Sequence, residues 1–152
     1  MELNESSLII NELTLRDLRI TKEVTETRRS IVRWLALAIG IISPGESRLT
    51  AVSVLDALLY FQFSKRKDPT VGEMSEYIAK SWGAVNEKTL RYHLLQLKKA
   101  NVLNNSKGKY FLVAPDMGDR YDPDLWIGNY LDSQVNPIKG KLKIAIRELR
   151  SR

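Results

Sequence analysis

Between Asn86 and Val102 the chain reads NEKTLRYHLLQLKKANV, a stretch dense in side chains that donate hydrogen bonds or carry positive charge. Lys88, Tyr92, Gln96 and Lys99 recur at three and four residues, so a helix places them on one side. Leu90, Leu94 and Leu97 form a narrow apolar stripe on the other side. Asn86 suits the helix N-cap, and Asn101 stands where the helix must stop in a left-handed conformation. A polyanion with hydrogen-bonding edges is the natural target of such a surface. Arginine pairs bidentately with guanine, glutamine or asparagine with adenine, and lysine neutralises phosphate. Asn86, Lys88, Thr89, Arg91 and Tyr92 are the candidates to reach base edges from the helix start, with Gln96 further along. Lys98 or Lys99, and Lys107 and Lys109 beyond the helix, are the candidates for phosphate contact. The competing account of each is an ordinary exposed helix residue.

The charge distribution bears on that choice. The net charge is +6, but residues 1–83 carry 11 basic and 11 acidic side chains. Residues 84–110 carry six basic and one acidic, residues 111–138 one basic and five acidic, and residues 139–152 six basic and one acidic. Positive charge therefore gathers on the stretch described above and on the C-terminal tail. A segregated basic patch is the footprint of nucleic-acid binding, while a solvated lysine-rich face gives the same count.

Other chemistries find little support. The one histidine, His93, flanks the leucine stripe and reads as a packing residue, with no second histidine or cysteine to complete a metal site. There is no glycine-rich phosphate loop and no nucleophile elbow. No catalytic role, cofactor or metal is expected. The absence of cysteine fits an intracellular protein, and no run of about 18 apolar residues is present to span a membrane.

The elements that must position the basic helix lie on both sides of it. Residues 7–40 lack proline and fit a seven-residue register through Ile10, Leu13, Asp17, Ile20, Val24, Thr27, Ile31, Trp34, Ala38 and Ile41. This predicts mostly helix. It leaves open a homodimerising coiled coil or two shorter helices broken near residues 21–27, where Thr21, Thr25 and Thr27 weaken continuity. Ser43-Pro44-Gly45-Glu46 has the pattern of a capping box, predicting a helix from there to about Phe63. Thr70 and Glu73 make a second capping box, and Met74, Tyr77 and Ile78 give a short helix its core face, ended at Gly83. Two short helices joined by a glycine-containing turn are what a helix-turn-helix requires.

After Asn101, the apolar pairs around Val102-Leu103 and Tyr110–Val113 bracket the turn-rich NNSKGK and predict a β-hairpin, the wing of such a domain. The aspartates of DMGDRYDPD depart from the spacing of a calcium loop and read as caps and surface turns. A short helix is expected from Asp122 through Trp126 and Tyr130. After Pro137 a final amphipathic helix is expected, with Ile138, Leu142, Ala145, Ile146 and Leu149 on one face and basic residues on the other.

Residues 50–113 resemble the winged helix-turn-helix domain of prokaryotic transcription regulators. TVGEMSEYIAKSWGAVNEKTLRYHLLQLKKANVL is similar to their run of helix, turn, capped T-x-x-x-H-L-x-x-L helix and stop. The His93-Leu94 pair resembles ArsR-like regulators, and the lysine-rich, cysteine-free style resembles archaeal ones. Asn101 stands where glycine is usual, and the metal-sensing cysteines are missing, so no metal response is implied. The expected fold is mainly α with a small β-hairpin. It comprises a winged helix-turn-helix domain (residues 43–115) between an N-terminal helical segment (1–42) and an acidic loop with a basic helical extension (116–152). The resemblance implies a cytoplasmic, nucleoid-associated homodimer that binds double-stranded DNA, pairing through its N-terminal helix with help from the C-terminal one. Winged helices also serve as protein-interaction modules, and that alternative stays open.

Overall fold

The computed structural model describes residues 3–152. It is mainly helical, with one two-stranded antiparallel sheet among the described residues. The chain forms two compact units, Met1–Arg48 and Leu49–Arg152.

The first unit corrects the expectation of helix over residues 7–40. After a 3-10 turn at Glu5–Leu8, residues 9–20 contain no helix; α1 spans Lys22–Thr25 and α2 spans Arg28–Ala38. The threonines explain the break. Thr21 accepts a hydrogen bond from Val24 N at 3.3 Å and Thr27 from Ser30 N at 3.1 Å, so each starts a separate helix as its cap. The stretch before them is extended because it serves the end of α2. Arg16 N donates to the Ala38 carbonyl at 2.8 Å, and its guanidinium donates to those of Leu37 (2.7 Å) and Ile42 (3.0 Å). A cation on the last carbonyls of a helix also opposes its dipole. Trp34 Nε1 closes the arrangement on the Arg19 carbonyl at 2.9 Å. Gly40 (φ +77°) must be glycine, since a Cβ there would lie 2.7 Å from the Thr14 carbonyl oxygen. The seven-residue register is thus a coincidence of composition, and among the described residues there is no long N-terminal helix to form a coiled coil.

In the second unit α3 is Thr50–Leu59, not a helix from residue 44. Ser43 N does donate to Glu46 Oε2 at 3.2 Å, but Gly45 takes φ +76° and the segment closes as a turn. α3 is buried along nearly its whole length and ends in a π-helical turn, Tyr60–Ser64. The wider turn aims Gln62 inward. The side chain is fully buried, its Oε1 accepts from Leu112 N at 3.0 Å, and its Nε2 donates to Asp68 Oδ1 at 3.4 Å.

α4 (Val71–Ser81) and α5 (Glu87–Lys99) pack against α3 and each other. Leu55 and Leu58 of α3, Met74 and Ile78 of α4, and Leu90, Leu94 and Leu97 of α5 share the core. β1 (Leu103–Ser106) and β2 (Lys109–Leu112) pair with Leu103 opposite Leu112, both buried. The loop between them is only Lys107 (φ +52°) and Gly108 (φ +76°), so Asn104–Ser106 and Lys109 belong to strands and not to the expected longer turn. Two successive positive φ angles make the tight hairpin turn whose twist matches the strands.

Both halves of the Thr70–Glu73 capping box are present, and Lys67 pairs with the same glutamate. Lys67 holds the Glu73 carboxyl below its ordinary value against burial, the next-largest effect, which raises it; the Thr70 N–H adds a smaller lowering. A lowered folded-state value stabilises the fold above the ordinary glutamate range. That stability is lost as pH falls through the lowered value. Glu73→Gln is therefore expected to lower the melting temperature at neutral pH by about 2 °C. The gap from the unsubstituted chain should narrow below about pH 4; thermal melts across that range check it.

α6, Pro123–Arg150, begins at the Asp122 cap, whose Oδ1 accepts from Asp124 N at 3.0 Å. The helix does not stop at Pro137 as expected but runs through it for 28 residues. A proline inside a helix costs about 3 kcal/mol. The lysines, leucine, alanine and arginines after it are good helix formers that carry the helix on. Trp126, Tyr130 and Gln134 are its buried residues. No helix among the described residues is long and apolar enough to cross a membrane.

Candidate nucleic-acid interface

The orientation of α5 is set from both ends and from below. Asn86 Oδ1 accepts from Thr89 N at 2.8 Å, fixing the first turn. Burial of Leu90, Leu94 and Leu97 fixes the rotation. Asn101 takes φ +62° and ends the helix, while Val102 N returns to the Leu97 carbonyl at 3.0 Å. At 100° per residue this leaves Lys88, Tyr92, Leu95 and Lys99 as one outward ridge, with Gln96 at its side. All five are exposed, Tyr92 at 57% and Leu95 at 48%.

The remaining candidates are placed differently. The side-chain oxygen of Asn86 is engaged as the cap, and Thr89 is half-buried beside it. Arg91 stands off the ridge. Its Nε (3.1 Å) and Nη2 (2.8 Å) both donate to Glu87 Oε1. That bond is the main cause of a guanidinium value above the ordinary one, and Tyr110 on β2 adds a smaller contribution in the same direction. Arg91 thus faces the hairpin side of α5. Lys98 lies on the same flank and donates to Asn105 Oδ1 on β1 at 2.8 Å, tying helix to hairpin. Lys107 is exposed at the hairpin tip, and Lys109 is exposed on β2.

The hairpin is itself anchored. Tyr110 N donates to the Pro69 carbonyl at 2.9 Å, Thr70 bridges to Lys109, and Gln62 holds Leu112 from inside. The loop after β2 is anchored too. Asp119 accepts from Arg66 at 2.6 Å, while Arg120 and the Tyr121 hydroxyl both donate to Asp68. Arg66, followed by the Tyr121 N–H, lowers the Asp119 carboxyl below its ordinary value. Two of the four aspartates in this loop are accordingly an ion-pair partner (Asp119) and a helix cap (Asp122).

Sequence reasoning missed Leu95 on this surface and the contact that Lys98 makes with Asn105. Leu95 sits in the middle of the ridge, and the 90–94–97 stripe already excluded it from the core. The Lys98–Asn105 contact carried no sequence signal, because it spans two elements whose juxtaposition is tertiary. His93 is half-buried with its ring edge-on to Tyr92 at 5.3 Å.

No family model matches the chain, and no curated protein or solved structure matches it either.

Proposed function

We propose that residues 50–113 form a winged helix-turn-helix that binds double-stranded DNA in a sequence-specific way, in a homodimeric, non-catalytic regulator of transcription. The observation that carries this reading is the exposed Lys88–Tyr92–Leu95–Lys99 ridge with Gln96, on a helix whose rotation the core holds and which a lysine-bearing hairpin flanks. A rigid helix with its polar ridge outward enters a major groove with residues of its first turns at base edges. Gln96 offers the paired donor and acceptor that adenine accepts. Arg91 offers a fork for guanine once it leaves Glu87, and Leu95 offers an apolar contact for a thymine methyl. Lys88, Lys99, Lys107 and Lys109 neutralise phosphates and set register.

One observation favours a second reading. An apolar residue as exposed as Leu95, in the centre of an otherwise polar ridge, also suits a protein partner, and winged helices serve as interaction modules as well as DNA readers. A gel-shift titration against genomic fragments separates the two. DNA binding should weaken steeply with salt. Arg91→Ala and Lys107→Ala should each reduce it, Lys107→Ala alike on all fragments and Arg91→Ala unevenly among them. Undiminished binding by the double variant, or no binding at any low salt, overturns the DNA reading.

A further inference from the structure

Two surfaces far apart in sequence are apolar, exposed and opposite in charge. The first is the distal part of α6. From Val135 onward none of its residues is buried, although Val135, Ile138, Leu142, Ile146 and Leu149 recur at helical spacing. Leu142 is 62% exposed and Leu149 70%. Lys139, Lys143, Arg147 and Arg150 form a ridge beside this stripe. Ile138, Leu142 and Ile146 on one bank and Lys139, Lys143 and Arg147 on the other line an open trough of about 520 Å³. In proteins, tertiary packing of an amphipathic face is what normally sustains such a helix.

The second surface is the arm formed by residues 3–12. Leu3, Leu8, Ile9 and Ile10 are exposed, Ile10 at 83%. Glu5 and Glu12 are its only charged residues.

We infer that the arm of one copy seats in the α6 trough of a second copy, with its leucines and isoleucines on the stripe and Glu5 and Glu12 toward the cationic ridge. Charge selects this pairing. Two α6 stripes packed antiparallel would bring two ridges of four cations together, whereas the arm brings carboxylates and no cation. Both surfaces are open in the single chain, and a two-fold arrangement uses each of them twice and leaves no unpaired end. This contact names the surfaces of the proposed homodimer, rests on that part of the reading, and does not depend on DNA binding.

The chain has no cysteine, so Ile10→Cys and Leu142→Cys each introduce the only thiol. The two full-length variants are mixed and gently oxidised without DNA. A disulfide joining one to the other should dominate, and the unsubstituted chain should sediment at twice its mass. Leu142→Asp, at an exposed position, should sediment as a monomer that still unfolds cooperatively, with a melting temperature that no longer rises with protein concentration. Three outcomes overturn the inference. They are Leu142→Cys linking chiefly to itself, a double variant closing its disulfide within a monomer, or an unsubstituted chain that is monomeric and forms no cross-link. None of them alters the gel-shift result, so failure here and failure of the DNA reading are told apart.

Discussion

A chain carrying both Lys88→Glu and Lys99→Glu is expected to bind DNA about a hundredfold or more weakly at 0.1 M salt. Both lysines lie on the outward ridge of α5 and are exposed, so neither substitution disturbs the core. Each neutralised phosphate contributes about 0.9 to the slope of log affinity against log salt. Losing two such contacts costs about 1.8 log units at that salt, and reversing the charge adds repulsion. The slope itself should fall by about two. Thermal melting should be nearly unchanged, because exposed lysines without a core role contribute little to stability. Fluorescence anisotropy at three salt concentrations, beside a melt of the same sample, reads all three quantities. A double variant with normal affinity and slope would place the interface elsewhere on the chain.

The second large effect concerns Gln62. Gln62→Leu preserves the approximate volume of a fully buried side chain but removes the acceptor of the Leu112 N–H. A buried donor left unpaired costs about 2 kcal/mol. With an ordinary denaturant dependence, that lowers the urea midpoint by about 1 M. The same substitution loosens β2 from α3, so amide exchange at Leu112 and Tyr110 should accelerate more than exchange in α4. An unchanged midpoint would mean that a water or a shift of the strand satisfies Leu112. Since Lys107 and Lys109 ride on this hairpin, the variant should also weaken DNA binding, though less than the charge reversal on α5.

The elements around α5 could be read directly from the residues because their signals are local. Asn86 caps within three residues, Thr70 and Glu73 do so reciprocally, and Leu90, Leu94 and Leu97 repeat with the helix period. Asn101 takes the left-handed conformation the helix end demanded. Each of these depends on chemistry spanning fewer than about eight residues, so a linear string contains it. The short exposed turn at Lys107–Gly108 was nearly as legible, and only the strand bounds around it differed.

The errors share a different cause. An apolar register over residues 7–40 suggested a helix, but an extended segment with Arg16 on the last carbonyls of α2 won. That outcome depends on a contact across more than twenty residues, which periodicity does not reveal. Ser43 and Glu46 had the capping pattern, yet the turn at Gly45 took precedence. Pro137 looked like a boundary and proved to be only an interruption within α6.

The residue string by itself determined the capped basic helix, its leucine stripe, the hairpin after it, and which side chains carry the positive charge. Only the tertiary structure decided how those charges are arranged. It drew Lys98 to Asn105 across two elements, and it left Lys88, Tyr92, Leu95 and Lys99 as the open ridge. The physical reason is that local hydrogen bonds and periodicity act along the chain. Which face is covered depends on partners that folding brings from elsewhere.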